Sequence, residues 1–165
     1  MPSFDRTRIG RFMYKWSLSW GTWIGKHPFV HYALLLTWAL PVTLAGWLIG
    51  LGVMLTGHAP KRYHGCVWFM FGNNWGGMSC GNTLLISDKM DAGWTKHTKH
   101  HELGHSCQAA FMGIFWVFVV AIPSAVRYWA QIIERKHNKA CTPYDAIWFE
   151  GSASDIGDAV IGDKD

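Results

Sequence analysis

The stretch KHTKHHELGHSCQ, Lys96–Gln108, sets four histidines and a glutamate within the ten positions from Lys96 to His105. Its conformation decides the reading of the whole chain. On an α-helix His101 and His105 are one turn apart and project from the same face, so their imidazoles can hold one metal ion. Glu102 lies beside that face, where its carboxylate can take a proton from water activated at the ion. Leu103 then faces the core, and Gly104 lets a second backbone approach closely. Thr95 or Thr98 can cap such a helix, and the apolar pattern carries it to about Ile122, where Pro123 ends or kinks it. Nine histidines and three glutamates scattered at random over 165 residues would give the spacing His-Glu-x-x-His only about 0.01 times per chain. Chance is a poor explanation.

Such a site needs a third ligand, and glutamate is scarce. Glu134 sits among charges in IIERKHN, on what reads as a solvated face. Glu150 opens the weakly polar run EGSASDIGDA, whose small residues Gly151, Ser152 and Ala153 permit close packing against the histidine helix. Glu150 is the better ligand. Of the remaining histidines, His97 is a turn too far to share the ion and His100 points away, so both read as solvent-facing polar residues. Cys107 points across the helix. His137, Tyr144 and Arg127 are possible oxyanion partners, each better explained structurally.

With Glu150-Gly-Ser-Ala153 added to the histidine motif, the chain resembles the gluzincin metallopeptidases, which pair HExxH with ExxA. It is most similar to membrane-associated members, the CAAX prenyl protease and heat-shock membrane protease group, and to small bacterial HExxH proteins that carry a Pro-Ser like Pro123-Ser124 between the motifs. The resemblance covers roughly residues 78–160. It implies zinc as cofactor, His101, His105 and Glu150 as its ligands, Glu102 as catalytic base, and a peptide or protein as substrate. It also implies that the strand before the motif helix, Asn82, Thr83, Leu84, Leu85 and Ile86, pairs with an extended substrate. Family members commonly place Asp or Asn directly after the ExxA alanine to orient a ligand histidine. Here Ser154 holds that position and Asp155 the next, so these two are the candidates for that support.

Working outward, half of the chain is apolar and 16% is charged, below the usual quarter or so. Residues 28–57, PFVHYALLLTWALPVTLAGWLIGLGVMLTG, carry no charge and exceed the roughly 20 residues that cross a bilayer. Seven Lys/Arg and only Asp5 occupy residues 1–62, whereas 141–165 hold six acids and Lys164. A basic arm directly before an apolar run points to a lipid bilayer rather than nucleic acid as partner. The expected organisation is a basic, Trp-rich arm over 1–27, a transmembrane anchor over 28–57 and a metallopeptidase-like domain over 58–165. Segment 11–24 can lie on the membrane as an amphipathic helix. By the positive-inside rule the N-terminus is cytoplasmic and the catalytic domain extracytoplasmic, close to the bilayer.

The run 109–126 is also apolar. A simple crossing there would carry Glu150 roughly 30 Å from His105, so it reads as domain core, interfacial helix or shallow re-entrant hairpin. Strands are expected near 66–71 and 82–87, joined by a glycine-rich turn. The fold class is therefore mainly α with a small β-hairpin or sheet. Cys66, Cys80, Cys107 and Cys141 lack CxxC spacing, which disfavours a cysteine zinc site and leaves disulfides or free thiols open. A non-catalytic membrane-bound binding or assembly protein on the same fold is the main alternative, and a membrane pore protein a third. An intramembrane protease of the site-2 type would need an aspartate in an apolar segment, and neither 28–57 nor 106–126 contains one.

Overall fold

The computed structural model describes residues 7–72, 75–137 and 143–162. Six α-helices and a four-stranded mixed sheet make up most of these residues: α1 (Arg8–Gly25), α2 (Pro28–Leu36), α3 (Leu40–Leu55), β1 (Lys61–Tyr63), β2 (Cys66–Met70), β3 (Gly77–Cys80), β4 (Thr83–Ile86), α4 (Ala92–Met112), α5 (Ile122–Lys136) and α6 (Trp148–Ile161). The mainly helical class with a small sheet is as expected.

The motif helix α4 starts earlier than the threonines suggest. Asp91 is its N-cap, its carboxylate accepting from the Trp94 N–H at 2.9 Å, while the Thr95 hydroxyl donates back to the Asp91 carbonyl. Its end also moves. Gly113 takes φ +60°, a left-handed conformation that terminates helices, so α4 stops at Met112 and not near Ile122. The run 109–126 splits at that glycine. Ala109, Ala110 and Met112 belong to the core, whereas Phe115, Phe118 and Ile122 are exposed. Pro123 breaks nothing. A π-helical turn over Val117–Ala121 leads into α5, and the proline occupies the first turn of that helix, where its missing N–H is not needed.

The core forms where α4 crosses α6, and glycines set the separation. A Cβ on Gly104 would lie 1.9 Å from the Ala153 carbonyl oxygen, and one on Gly157 would lie 1.9 Å from that of His100. Any side chain at either position would drive the helices apart. The close approach expected at Gly104 is thus realised, and it seats Glu150 against α4. The N-terminal helix α1 packs on the same pair, its Gly21 and Gly25 against Ile156 and Val160. Buried Ser17 joins a hydrogen-bonded group with Gln108 and Ser152.

The sheet order is β1-β2-β4-β3, with β2 and β4 parallel and the other pairs antiparallel. The strand expected near 82–87 exists, but it is interior: all four residues of β4 are buried between β2 and β3. β1 and β3 were not foreseen, and the glycine-rich segment expected to be a turn contains β3. The 28–57 run is not one straight spanning helix. It breaks after Leu36 into α2 and α3, bent by 90°. On α3, Gly46 and Gly50 face Cys80, Thr83 and Phe69, so that helix lies on the sheet by a seam without side chains. The helix Val117–Lys136 is long and apolar enough to cross a membrane, and 11% of its apolar window is buried. Cys66, Cys80 and Cys107 are free thiols; Cys141 lies outside the described residues.

Candidate metal centre

Three donor atoms meet between α4 and α6. His101 Nε2, His105 Nε2 and Glu150 Oε2 each lie 3.1 Å from the other two. The two histidines come from successive turns of α4, and Glu150 from the first turn of α6. A tetrahedral zinc ion with bonds of about 2 Å separates its ligands by roughly 3.3 Å, so this triangle has the size of one face of such a site. Both glutamate side chains are buried, Glu150 completely and Glu102 to within 4%. Glu134, the rejected candidate, is not one of these donors.

The hydrogen bonds behind the triangle fix which atoms carry lone pairs. The Gln108 amide nitrogen donates to the Phe149 carbonyl at 2.8 Å and lies near the hydroxyls of Ser17 and Ser152. A carbonyl can only accept, so the other Gln108 atom, Oε1, must be the one 2.7 Å from His105 Nδ1. Nδ1 therefore donates, and in a neutral imidazole Nε2 is left as a bare lone pair. Ser154 Oγ stands 2.9 Å from His101 Nδ1 and, by accepting from it, would leave that ring's Nε2 bare as well. Two imidazole lone pairs and a carboxylate oxygen then face one another at 3.1 Å, an arrangement that repels itself unless positive charge sits among them. Burial works against charge on His105, but the adjoining Glu150 carboxylate outweighs it and lifts the pKa to about 9. Burial likewise opposes charge on Glu150, and the two imidazoles overcome it, holding that carboxyl well below the usual range. The donor set, two imidazole nitrogens and a carboxylate oxygen, suits zinc.

Glu102 borders the triangle from the cleft side. Burial raises its pKa above the ordinary carboxylate value, an effect opposed in part by His101 and His105. A Cβ on Gly77 would lie 2.5 Å from Glu102 Oε1, so β3 passes directly over the carboxylate and a side chain there would have to displace it. The cleft has a volume of about 770 Å³; His101, Glu102 and His105 share it with Gly77 and Ser79 of β3, Ser124 of α5 and Tyr144. The Tyr144 hydroxyl is 2.8 Å from that of Ser124. Burial and the neighbouring Glu150 carboxylate push it to the protonated side of its usual range.

Several expectations need correction. Asp155 supports no histidine: its carboxylate accepts from the Tyr14 hydroxyl and ties α6 to α1. Ser154 is the orienting residue. The strand expected to pair with a substrate is not at a sheet edge. Thr83, Leu84, Leu85 and Ile86 are the buried interior strand, Asn82 accepts from the Trp47 indole at 2.8 Å, and the open edge beside the site belongs to β3. His100 is not solvent-facing; it is buried, with Nδ1 2.7 Å from Asp158. His97 is exposed at the cleft wall. Arg127 donates to the carbonyls of Tyr144 and Pro143, which makes it a brace for the loop that carries Tyr144. His137 caps α5 and does not line the cleft. Gln108 was missed altogether, although it stands three residues after His105 on the same helix face and interrupts an apolar run.

Comparison with protein-family models, with curated proteins and with solved structures found no match.

Proposed function

We propose that this protein is a zinc-dependent peptidase of the gluzincin type that works at a membrane surface on a peptide or protein substrate. One observation carries the proposal: His101, His105 and Glu150 converge to 3.1 Å with the Glu102 carboxylate beside them in the same cleft. A zinc ion bound there would act as a Lewis acid toward a carbonyl oxygen and lower the pKa of water. Glu102, its affinity for protons raised by burial, takes the proton from the attacking water and passes it to the leaving amine as the C–N bond breaks. The Tyr144 hydroxyl, kept protonated and placed by Ser124, can donate to the oxygen that gains negative charge. The β3 edge offers backbone N–H and C=O groups to an extended peptide, in the place first assigned to β4. Gln108 and Ser154 hold the ligand rings in the lone-pair-inward tautomer.

The decisive experiment is the zinc content of detergent-purified protein, wild type against Glu150→Ala and Glu134→Ala. About one zinc per chain, lost with Glu150 and kept without Glu134, supports the site. A folded wild type without zinc sinks it. Glu102→Gln then separates catalysis from binding: a peptidase loses turnover and keeps zinc, whereas a non-catalytic assembly protein keeps its function.

A further inference from the structure

The apolar surface of this molecule is gathered on a few helices and ordered on each. On α1 the exposed residues Ile9, Phe12, Trp16 and Trp20 form one stripe, and Arg8, Arg11 and Lys15 run in a row one position away. On α3, Leu44, Leu48, Leu51 and Leu55 form a second stripe, opposite the Gly46–Gly50 seam that lies on the sheet. On α5 and the turn before it, Phe118, Ile122, Val126, Trp129 and Ile133 form a third. The α1 stripe borders an apolar groove of about 250 Å³, walled by Met13 and Trp16 together with Trp38, Phe111 and Phe115. Exposed apolar area on this scale marks an interaction surface. From Thr7 to Ser87 the sequence contains no acidic residue, while α1 and the α1–α2 turn bring four cations, Arg8, Arg11, Lys15 and Lys26. The α1 tryptophan stripe, bordered by cations and free of acids, matches the headgroup region of an anionic bilayer.

Packing decides how the bilayer is engaged. α1 precedes the apolar 28–57 run and the metal domain follows it, yet both belong to one packed body. Ser17 of α1 touches Gln108 and Ser152, and His31 of α2 lies 3.2 Å from Ser106 of α4. A crossing between them would separate these groups by about 30 Å of hydrocarbon. Nor is either helix long enough alone: at 1.5 Å per residue, α3 extends about 24 Å and α2 about 14 Å. The continuous helix Val117–Lys136 has the length, at 20 residues, but Arg127 in its middle is bonded to the Pro143 and Tyr144 carbonyls beside the cleft, which holds the helix along the domain.

We infer that the protein is seated in a single leaflet of an anionic membrane, its α1, α3 and α5 stripes among the acyl chains, with the N-terminal helix and the metal cleft on the same side. This replaces the opposite-sides topology drawn from the positive-inside rule. It rests on the membrane association proposed above and not on the metal.

The test uses the full chain in sealed membrane vesicles of known orientation and a membrane-impermeant maleimide, with unsubstituted protein as the cysteine background. Arg8→Cys on α1 and Lys89→Cys before α4 replace exposed residues. Both are expected to react without detergent, or both only after it. Reaction of one alone would overturn the inference. A second measurement follows the purified protein onto phosphatidylcholine vesicles with and without phosphatidylglycerol. Binding is expected to be stronger with the anionic lipid and weakened at least about tenfold by Leu48→Glu plus Ile122→Glu, with an unchanged far-UV circular dichroism spectrum. Unaltered partitioning, or a multimer that holds its apolar faces together in water, overturns it as well. Zinc-free protein that still binds one leaflet would remove the peptidase reading and leave this one standing; zinc-loaded protein labelled from opposite sides would do the reverse.

Discussion

The α4–α6 crossing and the outer surface of α1, α3 and α5 are built from the same materials, glycine and large apolar residues, to opposite ends. At the crossing, Gly104 and Gly157 remove side chains so that two backbones touch, and the atoms displaced toward the centre are polar and oriented: His105, Gln108, Ser152 and Glu150. On the outside, Gly46 and Gly50 draw α3 onto the sheet, and what is turned outward is a row of leucines left exposed among the described residues. One region is over-determined, each group fixed by two or three neighbours. The other is specified only on its inner face. Substitutions should therefore be costly in the first and nearly silent in the second, so long as lipid or detergent covers it.

Gly104→Val tests that contrast most severely. With a Cβ placed 1.9 Å from the Ala153 carbonyl oxygen, it should cost at least about 4 kcal/mol, seen as loss of a cooperative thermal transition in detergent; a native-like transition would mean that the crossing can relax. Next, Glu102→Gln should lower kcat about 10²–10⁴-fold while zinc stoichiometry stays at wild type. A variant that keeps its turnover would remove Glu102 from the chemistry. Gln108→Leu should weaken zinc binding by about 10–100-fold, read by competition with a chromophoric chelator, because His105 loses the acceptor that sets its tautomer. Unchanged affinity would assign that tautomer to something other than Gln108. The smallest effect belongs to the outer surface: Leu55→Ser, at a residue 80% exposed, should shift stability in detergent by no more than about 0.5 kcal/mol. A larger loss would show that α3 has a protein partner on its outer face.

The legibility of the two regions follows the range over which their signals act. His101 and His105 could be read because helical spacing is a local rule, and Glu150 because glutamate is rare and its neighbours are small. Ser154 against Asp155 was a matter of phase. Four residues after Glu150, Ser154 falls on the same helix face and meets His101; Asp155 is turned about 100° further and finds Tyr14 on a helix distant in sequence. That partner is invisible locally. The strands erred for a related reason. β3 is short and starts with Gly77, so it reads as turn, but its glycine packs beneath the Glu102 carboxylate. The edge position thus passed to β3, and β4 became interior. Likewise the 28–57 run has the composition of a span, yet its break and its glycine seam answer to the sheet it packs on.

The chain of contacts from Ser17 through the Gln108 amide to His105 bears on how the protein can be handled. Trimming a chain ahead of its first apolar run is a common route to a water-soluble fragment. Here the cut would remove the Ser17 hydroxyl beside Gln108, the Tyr14 partner of Asp155, and the cover over Ile156 and Val160. Helix α1 belongs to the scaffold of the candidate metal centre, and a fragment that starts at His27 would lack one of its walls.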